Sequence, residues 1–257
     1  MIVDLPSWEH FGTHGQSAYP ELWEGVRVYY APCLGPTGTR LADLGGSSNL
    51  GTLTSMDAAT DWVVDDGRYA LDFDGVNDRI DIPIGGAIGL ADFSFFGWVK
   101  VRGASVNSVL WDDRLTGKSL IYFPNATTVY FRGDNFGGLA FTVPSLLNRW
   151  VQIAITRRNN SVRCYLNGVE STTGALTDSD PVIFNEIGRS AVSGFNINSL
   201  IDDQYFLNMA STATEIKMRY EIGRGGMLTP APTPALFAFP SNPLAIFAAS
   251  HAAVVGG

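Results

Sequence analysis

Between residues 22 and 223 short apolar runs alternate with clusters of turn-forming residues, at the spacing of a sandwich of many short strands. The pattern predicts strands over 25–30, 69–73, 79–82, 93–101, 106–112, 119–123, 128–133, 138–143, 150–157, 161–166, 182–188 and 194–207. Several alternate with period two. Val151, Ile153 and Ile155 stand against Gln152, Ala154 and Thr156, so one face of that strand points inward. Asp74-Gly75, Asn159-Asn160 and Asn167-Gly168 fall between runs and tolerate positive φ, which makes 150–166 the firmest hairpin. One helix is predicted. Thr212 and Glu215 have capping-box spacing, Ile216, Met218 and Tyr220 follow, and Gly223 stops it. The fold class is therefore all-β, an antiparallel β-sandwich with one short helix near its end.

Three zones divide the chain. Residues 1–21 form an N-terminal arm carrying Trp8, Phe11 and Tyr19, and residues 22–223 form the sandwich. Residues 224–257 form an uncharged C-terminal arm: after Arg224 there is no Lys, Arg, Asp or Glu, and Pro230, Pro232, Pro234, Pro240 and Pro243 punctuate it. A free tail of this composition is poorly soluble, so it is expected to be buried against something. Trp8, Phe11, Leu236, Phe237, Phe239, Ile246 and Phe247 are the residues expected to hold the body to neighbours, either further copies of the chain or other proteins.

Composition narrows the partners. Of 257 residues 46% are hydrophobic and only 16% charged, enough for a large core, and the net charge of −8 argues against nucleic acid, which needs a basic face. Cys33 and Cys164 could form one bridge, but two isolated thiols is the simpler reading. The first residues show neither a basic nor an apolar signal-peptide region. The most apolar stretch, 236–255, is broken by Pro240, Asn242, Pro243, Ser250 and His251, so no membrane span is expected.

Taken in order, several segments carry a resemblance. They are 49–54, the run 69–83 with Phe73-Asp74-Gly75, 93–100 ending in Trp98-Val99-Lys100, 150–156, Tyr165-Leu166-Asn167-Gly168-Val169, Ile187-Gly188-Arg189 and Ile201-Asp202-Asp203. Over roughly 40–222 the chain resembles the LamG-like branch of the concanavalin A-like lectin/glucanase jelly rolls. Asp203 stands where that family more often has Glu. The run 49–83 is most similar to stand-alone copies encoded by marine bacteria and their phages. The resemblance implies a jelly roll, and Trp98 and Trp150 fall in strands expected to face the core, where large rings fill the gap between sheets. It also allows a calcium site in which Asp74, Asn77 and Asp78 supply oxygens and Asp202 or Asp203 completes the set. The competing reading has Asp74 and Asn77 satisfying turn N–H groups.

The family includes carbohydrate-binding modules, adhesion domains, glycosidases and virion proteins, so function has to come from residues. Glycosidases on this fold pair carboxylates along one strand as Glu-x-Asp-x-x-Glu, and no such run is present. Asp72 and Asp74 share a strand face but run into a turn, while Asp202 and Asp203 should point to opposite faces. His10, His14 and His251 all lie in the arms, so the core offers no imidazole base. Sugar stacking would draw on Trp111, Tyr122 and Tyr130. The expectation is a non-catalytic virion protein, for capsid decoration or cementing or at a tail, docked by its arms. The alternative is a lectin-type module binding surface glycans at an extracellular surface, with a glycoside hydrolase third. No cofactor is expected beyond the implied calcium.

Overall fold

The computed structural model describes residues 19–45, 47–83, 92–102, 108–113, 119–133, 138–175, 182–190 and 195–225. Two antiparallel sheets face each other. The back sheet runs in the order β14 (Val169–Ala175), β13 (Ser161–Leu166), β12 (Val151–Arg158), β7 (Phe93–Val101), β16 (Asn198–Leu207), β5 (Arg68–Asp74), β4 (Trp62–Asp65), with β1 (Val26–Tyr30) also paired to β16. The front sheet runs β11 (Leu139–Thr142), β10 (Thr128–Arg132), β9 (Leu120–Asn125), β8 (Ser108–Asp112), β15 (Glu186–Ile187), β6 (Arg79–Asp81), β3 (Gly51–Thr54), β2 (Arg40–Leu41). Helices α1 (Pro20–Trp23) and α2 (Ala213–Ile222) and a 3-10 turn (Pro32–Leu34) lie outside the sheets. Among the described residues no helix is long and apolar enough to cross a membrane.

The alternation read from the sequence places Ile153 and Ile155 in the core between the sheets, with Phe93, Phe95 and Phe206 from the same sheet and Trp111, Ile121 and Phe131 from the facing one. Phe93 stacks on Phe206 at 5.4 Å, and Trp111 meets Phe95 edge-on at 5.7 Å. Part of the outer face of the back sheet is buried as well. Leu22, Trp23, Tyr29, Phe96, Ala154, Tyr165, Tyr205 and Ile216 form a second cluster under α1 and α2. That double burial explains why β7 reads Phe-Ser-Phe-Phe-Gly-Trp-Val-Lys-Val, with Lys100 the one residue of that strand not buried. The molecule thus has three layers, with the helices packed over part of the back sheet.

Two tryptophans depart from expectation. Trp98 points to the outer layer and stacks on Tyr220 of α2 at 5.8 Å, because it falls on the opposite face from Val99 and Val101. Trp150 stands at the rim, where its Nε1–H donates to Asp65 at 2.5 Å. Helix α2 forms as predicted: Thr212 accepts from Glu215 N, Glu215 accepts from Thr212 N, and Gly223 closes it at φ 77°. Strands β2, β3, β4 and β14, together with α1, were not among the predicted elements. They are short or, like the Ser- and Thr-rich β14 at a sheet edge, carry no apolar alternation. Arg224 and Gly225, the first two residues assigned to the C-terminal arm, pack against Asp202 and Asp203 of β16.

Candidate functional site

On the outer face of the front sheet two side-chain rows lie side by side. The first crosses the sheet through the paired residues Arg40, Thr52, Asp81, Glu186, Asp112, Leu120 and Arg132. The second, about 7 Å further along the strands, holds Tyr122 and Tyr130 as a direct cross-strand pair. Their inward neighbours Ile121, Phe123, Val129 and Phe131 are core, which fixes the tyrosines outward. The tyrosine rings are 4.8 Å apart, and Phe195, from the segment between β15 and β16, stacks on Tyr122 at 6.4 Å. All three rings are half-buried. Tyr130 Oη accepts from Gly138 N at 2.9 Å, which orients its ring. Partial burial and the neighbouring Tyr130 raise the Tyr122 phenol above its ordinary pKa.

The charged row beside this platform is compensated unevenly. Arg79 Nε sits 3.2 Å from Asp81, and Arg189 Nε 2.8 Å from Glu186. Asp112 is fully buried, and burial pushes its carboxyl up to about 6. A search along single strands missed this row, because its members are neighbours only across strands.

The predicted sugar residues divide. Tyr122 and Tyr130 come together as described, whereas Trp111 is core: it is fully buried and its Nε1–H donates to Gln204 Oε1 at 3.0 Å. A bulge in β8 between Val109 and Trp111 turns Leu110 and Trp111 both inward. Phe195 was not singled out in the sequence, and a lone aromatic in a polar loop gives no periodic signal.

Of the predicted calcium ligands, Asp74 and Asp78 meet in the turn and Asp202 does not join them. Asp78 is buried and its Oδ2 accepts from Asp74 N at 2.9 Å, Asp74 Oδ1 accepts from Val76 N at 2.7 Å, and Asn77 is exposed. Two of the carboxylates are thus engaged in closing the turn. Asp202 lies elsewhere, in the middle of β16, whose first half pairs with β5 and second half with β1. The bulge that permits this change of partner puts Asp203 at φ 44°. It also overturns the expectation that Asp202 and Asp203 point apart, since both reach the same buried pocket. Cys33 N donates to Asp202 at 2.9 Å, Tyr29 Oη donates to Asp203 at 2.9 Å, Gly225 N donates to Asp203, and Arg224 Nε lies 3.1 Å from Asp202. Burial raises both carboxyls, and for Asp202 the neighbouring Asp203 adds to it. Cys33, Asp202 and Asp203 bring ligand atoms within 4.8 Å of one another. The arginine already supplies the cation there, and a thiol with two carboxylates mixes soft and hard donors, so these residues do not fit a calcium cage. Cys33 and Cys164 are both free thiols.

Asp72 and Asp74 share a face, as expected, and line an open cleft with Thr60, Asp61, Arg102 and Asn198. Arg102 binds the Asp72 carboxylate through both terminal nitrogens, which holds that acid as an ion pair. The assembly residues Trp8, Phe11, Leu236, Phe237, Phe239, Ile246 and Phe247, and with them the expected virion role, lie outside the described residues.

Two antiparallel sheets packed face to face define a lectin-type jelly roll. The sequence profile of the concanavalin A-like lectin/glucanases superfamily matches residues 74–217, and the chain belongs to that family. Solved structures of the same fold include the botulinum neurotoxin serotype D binding domain, with TM-score 0.60, 14% identity and coverage of 79% of this chain and 52% of that one. The serotype D ligand-binding domain in complex with N-acetylneuraminic acid gives 0.58, 14%, 79% and 52%. Domain 4 of the GH43 extracellular arabinanase AbnA from Geobacillus stearothermophilus, in complex with arabinotriose, gives 0.58, 17%, 75% and 97%. The chain spans about half the length of the toxin domains and nearly all of the arabinanase domain. No curated protein matches it.

Proposed function

We propose that the protein is a non-catalytic carbohydrate-binding domain that takes its ligand on the outer face of the front sheet. The observation carrying this reading is the outward Tyr122–Tyr130 pair, 4.8 Å between rings and extended by Phe195, with Arg132 in the adjacent row. Half-buried rings held by cross-strand packing offer apolar faces to the C–H faces of a sugar, and the phenol and guanidinium groups at the edge serve its hydroxyls. Sugars bound to two relatives of this fold support the ligand class. The neighbouring carboxylates suit structure better than hydrolysis, because Glu186 is paired with Arg189 and both Glu186 and Asp112 are fully buried.

A glycan array followed by calorimetry on the best binder tests the reading. Tyr122→Ala and Tyr130→Ala should each weaken binding at least tenfold, about 1.4 kcal/mol, while leaving the fold intact. Binding that survives both substitutions would move the site off this face.

A separate assembly role rests on the uncharged segment after Arg224, whose first residues are anchored by Asp202 and Asp203. Light scattering on the full chain and on a chain ending at Gly225 tests it, and an unchanged mass would remove it.

A further inference from the structure

On the outer face of the back sheet a cavity opens where β12 and β13 meet the chain leading into α2. It holds about 460 Å³, room for a small molecule and far more than a bare ion fills. Strand alternation builds it. Ile155 and Arg157 of β12 face the core, where Arg157 lies 4.9 Å from the Phe93 ring, so Thr156 and Arg158 face outward. Their direct partners on β13 are Arg163 and Ser161, and Tyr165 follows on the same face. The facing wall is the chain from Ala210 to Ala213, where α2 begins.

The lining is rich in donors and includes no carboxylate, in a chain whose net charge is −8. Arg158 donates through Nη2 to the Ala210 carbonyl at 2.9 Å, which pins the side chain without neutralising it. Arg163 lies 3.0 Å from Glu170, and the Tyr165 hydroxyl hydrogen-bonds both. Two arginines thus answer one acid. The other acids nearby are turned to main-chain amides: Asp92 accepts from Asn159 N and Glu215 from Thr212 N, each at 2.7 Å. At the floor Thr156 is only 4% exposed, and its hydroxyl has no hydrogen-bond partner among the described residues. A hydroxyl so placed is satisfied by whatever occupies the cavity. The positive end of the α2 dipole favours the same sign of ligand as the arginines do.

We propose that this cavity is a second binding site, one that takes a small hydroxylated organic acid of the sugar-acid class. Arg158 receives the carboxylate through the guanidinium nitrogens that Ala210 does not hold, and Thr156 and Ser161 meet the hydroxyls. The site is independent of the tyrosine face, since it is built on the other sheet.

Amide NMR of the full chain, titrated with glucuronate, glucose and inorganic sulfate, tests the site. Glucuronate at millimolar concentration should shift the amides of Thr156, Arg158, Ser161 and Ala213, and glucose should leave them in place. Arg158→Gln should weaken glucuronate binding roughly tenfold, and Thr156→Val roughly threefold, with the rest of the spectrum unchanged. Sulfate bound as tightly as glucuronate would mean an adventitious ion only and would overturn the proposal. Glucose bound as tightly, or glucuronate binding that survives Arg158→Gln, would overturn it too. The tyrosine face is read in the same spectra. Shifts at Tyr122 and Tyr130 with none at the cavity would sink this site and leave the carbohydrate platform standing.

Discussion

Arg224 holds its guanidinium 3.8 Å from the centre of the Trp150 ring while its Nε lies 3.1 Å from Asp202. One side chain thus joins the rim of the back sheet to the buried bulge in its middle. The ring closes through Asp65, whose carbonyl accepts from Arg224 and whose carboxylate accepts from Trp150 and Lys100. Arg224→Ala leaves Asp202 buried without its cation and should cost about 3–5 kcal/mol in urea unfolding. Arg224→Lys cannot stack a planar group on Trp150 and should recover less than half of that. Full recovery by lysine would show that charge alone matters there.

Gly188 is the joint on which the Phe195 segment turns. It sits at φ 94°, and a Cβ there would run into the Phe73 ring. Gly188→Ala combines backbone strain with a core clash and should destabilise by about 2–4 kcal/mol in a denaturant titration. A loss below about 1 kcal/mol would mean that Phe73 has room to move.

Trp111 does two jobs that a single substitution separates. Trp111→Phe keeps most of the apolar ring but removes the donor to Gln204 Oε1, in a residue that is fully buried. The expected loss is about 1–3 kcal/mol with the fold unchanged by circular dichroism. An equally stable variant would show that Gln204 finds another donor.

Asp78 gives the turn at residues 74–78 a pH signature. Burial and the proximity of Asp74 outweigh its hydrogen bond from Asp74 N, and its carboxyl rises to about 6. With the native value above the unfolded one, its contribution is full in acid and fades as pH rises through about 6. Asp78→Asn keeps an acceptor for Asp74 N and should reduce the slope of the stability profile between about pH 5 and about pH 7, leaving the part that Asp112 contributes. Melting curves across that range decide it, and an unchanged slope would place the titration elsewhere.

Local patterns carried much of the fold. Thr212 and Glu215 announced α2, Asn159-Asn160 the β12–β13 hairpin, and the alternation around Ile153 and Ile155 the inward face. What escaped was set by pairing across strands. Asp81, Glu186 and Asp112 are far apart in sequence and meet only because β15 lies between β6 and β8. Period two also fails wherever a strand bulges, which is why Trp111 turned inward and Asp202 and Asp203 came to one side. Trp98 was misplaced for a third reason: a sheet covered on both faces makes both sides of a strand apolar, and polarity no longer marks the inside.

The covered back sheet also sets a direction for the whole molecule. Tyr19 and Gly225, where the described chain begins and ends, both lie in the layer over that sheet, next to Trp23 and Cys33. The tyrosine pair looks out from the opposite side. The described chain therefore enters and leaves on the side away from the aromatic face, so the two ends and the tyrosine pair do not compete for the same surface.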